Sequence, residues 1–265
     1  MVSGAFDDLR ARDLRFLEEA AKLGELTVVL WPDTALETLT GKAPRFPFAE
    51  RNYFLSAVRY VSRVIEAGAT ADFNSLPTDA NVDIWVDVET TATAAREMSA
   101  REHKVEYRVF DTGELIHFPD PAPLGPAAGQ KKVIVTGSFD WFHSGHVRFL
   151  EEASALGNLH VVVGHDANIR LLKGAGHPLL PQEERRYVVG SIKFVKRALI
   201  SSGEGWLDAD PEIKSLKPDI YAVNEDGDKG GKREYCEKNG IQYVVLKRIP
   251  APGLPNRSST DLRGF

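Results

Sequence analysis

The chain has 265 residues, with 33 lysines and arginines against 38 aspartates and glutamates; its formal net charge of -5 excludes binding to nucleic acid through a broad basic surface, where phosphate neutralisation dominates. The length suits two domains of ordinary size. A lone cysteine, Cys236, excludes an intramolecular disulfide and a thiolate cluster for a structural metal, and neither a membrane-length apolar stretch nor a secretory signal pattern is present, so a cytoplasmic protein without membrane or nucleic-acid partners is expected.

In chain order, the first part predicts strands at 26–30, 60–65, 82–88 and 105–110. Only three residues precede Gly4, which leaves almost no chain for the strand that should come first. Residues 117–130 follow, with prolines at 119, 121, 123 and 126 that block helix and central strand alike and predict an extended, fairly stiff linker. The remainder predicts strands at 133–136, 159–164, 194–200, 220–223 and 241–246 and helices at 145–156, 182–192, 210–216, 231–239 and from about Thr260. Near-continuous apolarity with β-branched residues suits strands covered on both faces. Alternating strands and helices imply a parallel, doubly wound sheet with its ligand crevice beyond the carboxyl ends of the strands.

The two parts are copies of one another. Residues 2–33 align without gaps on 135–166 with sixteen of thirty-two positions identical, and the match continues through Glu50-Arg51 over Glu184-Arg185, Tyr53 over Tyr187, Asp83-Ile84 over Asp219-Ile220 and Tyr107 over Tyr243. A period this long makes each copy a domain rather than a solenoid repeat. The expected architecture is therefore α/β, with two tandem Rossmann-like doubly wound domains at 1–116 and 131–265 joined by the linker at 117–130.

The second copy carries the chemistry. A strand ending at Thr136-Gly137-Ser138 and a helix starting near Ser144 place the intervening amides at a strand's carboxyl end; Gly137 permits close backbone approach and the helix start favours an anion. His143 and His146 lie three apart at that helix start, so both imidazoles can converge on phosphate oxygens and stabilise charge as it develops. As a zinc site the pair lacks a carboxylate or cysteine at matching spacing. Taken alone, two unrelated surface histidines are the plain alternative.

Gly137-Ser138-Phe139-Asp140 followed by His143-Ser144-Gly145-His146 resembles the HxGH signature of the cytidylyltransferase-like nucleotidyltransferases. That superfamily includes the glycerol-3-phosphate, phosphocholine and phosphoethanolamine cytidylyltransferases and heptose-phosphate adenylyltransferase. Leu172-Lys173-Gly174, Pro181-Gln182-Glu183-Glu184-Arg185 and Arg257-Ser258-Ser259-Thr260-Asp261-Leu262-Arg263 resemble three further family motifs, in the family's order. The resemblance implies catalytic roles for His143, His146 and Lys173. It implies nucleotide contacts from Thr136, Gly137, Ser138, Phe139 and Gly145, and from Arg257, Ser258, Ser259 and Thr260. Acceptor contacts are implied for Asp140, Arg185, Asn224, Glu225, Asp226 and Arg248.

Plainer readings stand beside these. Lys173 suits a polar solvated loop, Arg185 a helix surface, Ser258-Ser259-Thr260 a helix cap, and Asn224-Glu225-Asp226 a turn. At the crevice, those acidic residues suit a cationic or hydroxylated acceptor. Residues 249–256 intervene between Arg248 and Ser258, so either Arg248 or Arg257 is a candidate for the triphosphate.

The implied reaction is attack by an acceptor's phosphate oxygen on the α-phosphate of a nucleoside triphosphate, with Mg²⁺ accompanying the triphosphate and no metal ligands from the protein. CTP and ATP both fit, as does a phosphorylated alcohol or sugar acceptor; the tandem arrangement resembles phosphoethanolamine cytidylyltransferase and favours CTP. A non-catalytic nucleotide-binding regulator is the rival, and it predicts lost motifs in both copies.

Only the first copy has lost them. Arg10-Ala11-Arg12-Asp13 stands at His143-Ser144-Gly145-His146 and Thr40 at Lys173, and Asp13 sets a negative charge where a phosphate would bind. Its Arg59-Tyr60-Val61 resembles the family's dimer-interface motif, which predicts an intramolecular pseudo-dimer with Arg59 near the active half; the plain alternative is a buried strand over 58–65.

Overall fold

A computed structural model describes residues 1–68, 72–76 and 81–262, without the side chains of Thr260 and Asp261. The chain divides into two compact units, Met1–Phe118 and Pro119–Phe265. Among the described residues no helix is long and apolar enough to cross a membrane.

The first unit runs β1 (Val2–Gly4), α1 (Ala11–Ala21), β2 (Thr27–Leu30), α2 (Asp33–Thr40), α3 (Phe48–Ala57), β3 (Arg63–Glu66), β4 (Ile84–Val88), α4 (Ala94–Glu102) and β5 (Glu106–Phe110). Strands β1-β2-β3 and β4-β5 form two parallel sheets. The Met1 backbone joins them: its amino group donates to the Ile84 carbonyl, and its carbonyl accepts from Val86 N–H at 2.9 Å. A three-residue β1 therefore suffices, because Met1 reaches β4 while Val2 to Gly4 pair with β2. The segment expected as a strand from residue 60 is paired only from Arg63, and β3 is partly exposed rather than buried.

The second unit runs β6 (Lys132–Gly137), α5 (Ser144–Ser154), β7 (Asn158–Val163), α6 (Asp166–Lys173), α7 (Gln182–Gly190), β8 (Val195–Ile200), α8 (Asp210–Leu216), β9 (Ile220–Asn224), α9 (Lys232–Lys238), β10 (Gln242–Leu246) and α10 (Ser259–Leu262). All five strands are parallel in the order β10-β9-β6-β7-β8. Strand order reverses between β6 and β9, the switch point at which open α/β sheets form a ligand crevice. On one face Ile134, Val162 and Tyr221 pack under Ile213 of α8 and Cys236 of α9. On the other, Val133, Val135 and Val161 are fully buried, with α5 and α7 packed on β7. Each such apolar side chain contributes about 1.5–3 kcal/mol on full burial.

The proline segment belongs to this unit and is not a free spacer. Asp120 pairs with Arg186, Leu124 N–H donates to the Lys196 carbonyl at 2.9 Å, and the Asn158 amide exchanges hydrogen bonds with the Ala127 backbone at 2.9 and 3.0 Å. Pro121 lies so close to Gly190 that a Cβ there would sit 2.3 Å from its Cγ. Gly190→Ala is therefore expected to lower stability by ~1–3 kcal/mol through overpacking, read as a fall in the thermal midpoint of the full chain.

Candidate active site

The loop from β6 to α5 is shaped by two glycines. Phe139 adopts φ 49° and folds its ring over Gly137, where a Cβ would meet it at 3.0 Å. At the start of α5, Gly145 N–H donates to His143 Nδ1 at 3.1 Å; a Cβ on Gly145 would stand 2.9 Å from His143 Cε1. The glycine between the histidines thus makes room for the first imidazole to lie over the helix's opening turn. Because Nδ1 accepts, the neutral ring carries its proton on Nε2.

His146 stacks on His143 with ring centroids 4.0 Å apart, and Phe142 and Phe139 flank it at 5.2 and 5.4 Å. Burial, followed by the positive potential of His143, Arg248 and Lys173, holds the pKa of His146 well below the usual imidazole value. At neutral pH this ring is uncharged, so it offers a hydrogen bond and not a cation.

Phe139, His143 and His146 line an open crevice of about 510 Å³ beyond the carboxyl ends of β6 and β9, within the range of small-molecule sites. Lys173 ends α6, not a polar loop, and its Nζ donates to Ser138 Oγ at 2.8 Å. Thr136 shares a 2.7 Å hydrogen bond with Tyr221, whose phenol burial pushes up to about 12. Asn224 Oδ1 is buried without a hydrogen-bond partner among the described residues and lines the crevice, an acceptor suited to an exocyclic amine.

Of the two arginines, Arg248 lines this crevice, whereas Arg257 lines a small adjoining groove and offers its carbonyl to Arg248 Nη2 at 2.8 Å. Asp226 pairs with Arg248 Nη1 at 2.6 Å, and Glu225 accepts from Arg248 N–H at 3.3 Å. Those carboxylates position the arginine, and Asp226 also lines the crevice. Ser259 Oγ donates to the Trp141 carbonyl at 3.2 Å, and the Ser258 carbonyl accepts from Leu262 N–H at 3.2 Å. Both therefore tether the short α10. The side chain of Thr260, and Arg263 altogether, lie outside the described residues.

Asp140 and Arg185 are braces. Asp140, 2% exposed, accepts from the Leu179 and Leu180 N–H groups at 2.7 and 3.2 Å. Arg185, 1% exposed, donates to the carbonyls of Leu180, Ser138 and Gly164 and to Asp166 Oδ1 at 2.5–2.9 Å. The first unit repeats both: Asp7 accepts from Arg45 and Phe46 N–H, and Arg51 donates to Phe46, Ala5, Trp31 and Asp33. A set of contacts kept where the histidines are gone serves the fold, and its saturated donors leave little for a substrate.

Three charged crevice residues carry no assignment from the sequence: Asp208, which accepts from Ser201 Oγ at 2.6 Å, Lys229 in the loop after β9, and Lys232 at the start of α9. Trp206, 53% exposed, sets its ring against Gly231. A signal was present in the Lys-Gly-Gly-Lys run at 229–232, separated from the carboxyl end of β9 by the four residues 225–228.

The first unit keeps the loop but not the site. Phe6 repeats the left-handed backbone at φ 45°. Asp13, whose pKa burial raises, accepts from Arg10 N–H at 2.7 Å and caps α1. Trp31 stands where the second unit has Gly164. Its Nε1 donates to Ser3 Oγ at 2.8 Å, and its ring lies 4.0 Å from that of Phe73.

Residues 134–265 match the family model described as Cytidylyltransferase-like. The FAD synthase of Ferroglobus placidus is 41% identical over 120 residues, spanning 44% of this chain and 75% of that protein. The FAD synthase of Methanospirillum hungatei is 34% identical over 134 residues, spanning 49% and 82%. The lipopolysaccharide core biosynthesis protein of Thermoplasma volcanium, a solved structure, is 27% identical with a TM-score of 0.39, over 46% of this chain and 99% of that one. With the glycine-shaped loop and stacked histidines, the family model and the FAD synthase matches show that the chain belongs, through its second unit, to the cytidylyltransferase-like nucleotidyltransferases.

Proposed function

We propose that the second unit transfers AMP from ATP to the phosphate of FMN, forming FAD and pyrophosphate. The likeness to FAD synthases, of which this chain spans three quarters or more, carries the reading. FAD is FMN and AMP joined by one pyrophosphate bond between their two phosphates, so such an enzyme makes the bond expected here between a nucleotidyl group and a phosphorylated alcohol. The donor base becomes adenine in place of the favoured cytosine.

In this reading an FMN phosphate oxygen attacks the α-phosphorus of ATP, the bond from that phosphorus to the bridging oxygen of the β-phosphate breaks, and pyrophosphate leaves. No protein nucleophile is needed. His143, through Nε2–H, and His146 stabilise charge on the α-phosphate as it builds up. Lys173, on a flexible stem beside Ser138, follows the phosphates as a mobile point charge, and Arg248, oriented by Asp226, holds the leaving pyrophosphate.

Among the described residues no group of three or more His, Cys, Asp or Glu is placed to hold a metal, and the crevice carboxylates Asp208 and Asp226 are engaged by Ser201 and Arg248. In this proposal Mg²⁺ enters with the nucleotide as MgATP, liganded largely by phosphates and water. The first unit is a degenerate copy in this proposal: Trp31 at the Gly164 position and Asp13 at the helix start both oppose a triphosphate there.

CTP with a phosphorylated alcohol is the second reading, favoured by the tandem repeat. Calorimetric titration of the full chain with MgATP and MgCTP, followed by product analysis with FMN, separates the two. MgATP is expected to bind at least about tenfold more tightly, a difference of ~1.4 kcal/mol. Tighter CTP binding without FAD formation overturns the adenylyl reading.

A further inference from the structure

The crevice holds two sets of cations with different neighbours. Lys173 and Arg248 act on His146 and serve the phosphates. Lys229 and Lys232 also line the crevice, but the charges acting on Lys232 are those of Asp228, Asp208 and Asp226. Lys232 is half-buried and has three donors, one of which reaches the Gly227 carbonyl at 3.0 Å. Immediately before it, a Cβ at Gly231 would meet the Trp206 ring at 3.4 Å. A partly desolvated ammonium therefore lines the crevice with Asp208 and Gly164, and the Trp206 ring lies against the neighbouring Gly231.

The first unit supplies an internal analogue of that wall when filled. Strands β4 and β5 match β9 and β10 at a constant offset, from Ile84 over Ile220 to Phe110 over Leu246, which sets Arg96 on Lys232. Arg96 lies over the Trp31 ring at 5.7 Å, and Trp31 occupies the Gly164 position, tied to Ser3, the counterpart of Thr136. In one copy, then, a cation at this position lies over a planar aromatic ring at the Gly164 position. In the other copy the ring is missing, a glycine takes its place, and the cation remains.

From this juxtaposition we infer that Lys232 selects the acceptor: it contacts a planar aromatic ring whose edge carries carbonyl oxygens. This rests on the FMN reading above, since the isoalloxazine has that edge whereas phosphocholine and phosphoethanolamine carry no aromatic ring.

The test uses the full chain and measures initial rates of FAD formation against FMN and ATP for wild type, Lys232→Met and Lys232→Arg. Lys232→Met is expected to raise the KM for FMN by about tenfold or more, as for loss of a hydrogen bond from a charged donor, with kcat and the KM for ATP within about threefold of wild type. Lys232→Arg is expected to recover most of that loss. An unchanged KM for FMN in Lys232→Met overturns the inference and leaves the FAD synthase reading standing. A parallel rise in the KM for ATP assigns Lys232 to the triphosphate and also overturns it. Wild type that forms no FAD removes the substrate reading and the inference with it. Should Lys232→Met lose its thermal transition, Lys232→Gln is read by the same criteria.

Discussion

His143→Ala is expected to slow pyrophosphate release by about 10²–10³-fold, the effect of removing one preorganised donor from a developing oxyanion. The geometry makes His143 specific to the chemistry. Its Nδ1 is spent on Gly145 N–H, so Nε2 is the donor, and the 4.0 Å stack with His146 fixes the ring's plane. The variant also loses a helix N-cap, at a cost of about 0.5–2 kcal/mol, which leaves the unit folded. A near-normal rate of pyrophosphate release in the variant contradicts the assignment.

The second large effect is on stability and not on rate. Arg185→Leu leaves the Ser138, Gly164 and Leu180 carbonyls without their guanidinium donor inside a well-packed loop. Each unsatisfied buried group costs about 1–3 kcal/mol; with partial rehydration, a loss of ~3–5 kcal/mol is expected, comparable to breaking a buried ion pair. That is a large share of a domain's ~5–15 kcal/mol. Urea unfolding of the full chain measures it, and Arg51→Leu is expected to weaken the first unit by a similar amount through its matching contacts. An Arg185→Leu protein with wild-type unfolding and lost activity would return this residue to the chemistry.

The contrast between these residues was legible in the repeat. Asp140 and Arg185 keep partners in Asp7 and Arg51, while His143 and His146 do not, and residues retained after the site is lost are those the fold needs. The strands were readable because buried parallel strands form short apolar runs; β9 begins where expected and ends one residue later, at Asn224. Helix α6 was missed because its apolar residues do not share a buried face: Ile169 is buried, but Leu171 and Leu172 are 70% and 54% exposed. Lys173 therefore looked like part of a loop.

Other features depended on tertiary pairing. Met1 links β2 and β4 through backbone groups, which carry no side-chain pattern. The contacts of Glu225 and Asp226 turned on Arg248, more than twenty residues away in sequence, just past the carboxyl end of β10. Lys232 gained meaning only once equal spacing between strands set it against Arg96 and its tryptophan.

Nucleotidyl transfer at the His143–His146 site is tested most directly with ATP labelled at the α-phosphate. Incubated with FMN and the full chain, the label is predicted to move into FAD while the released pyrophosphate carries none, and His143→Ala is predicted to suppress both products together. Label recovered entirely in unreacted ATP, or transfer that persists in His143→Ala at the wild-type rate, would contradict it.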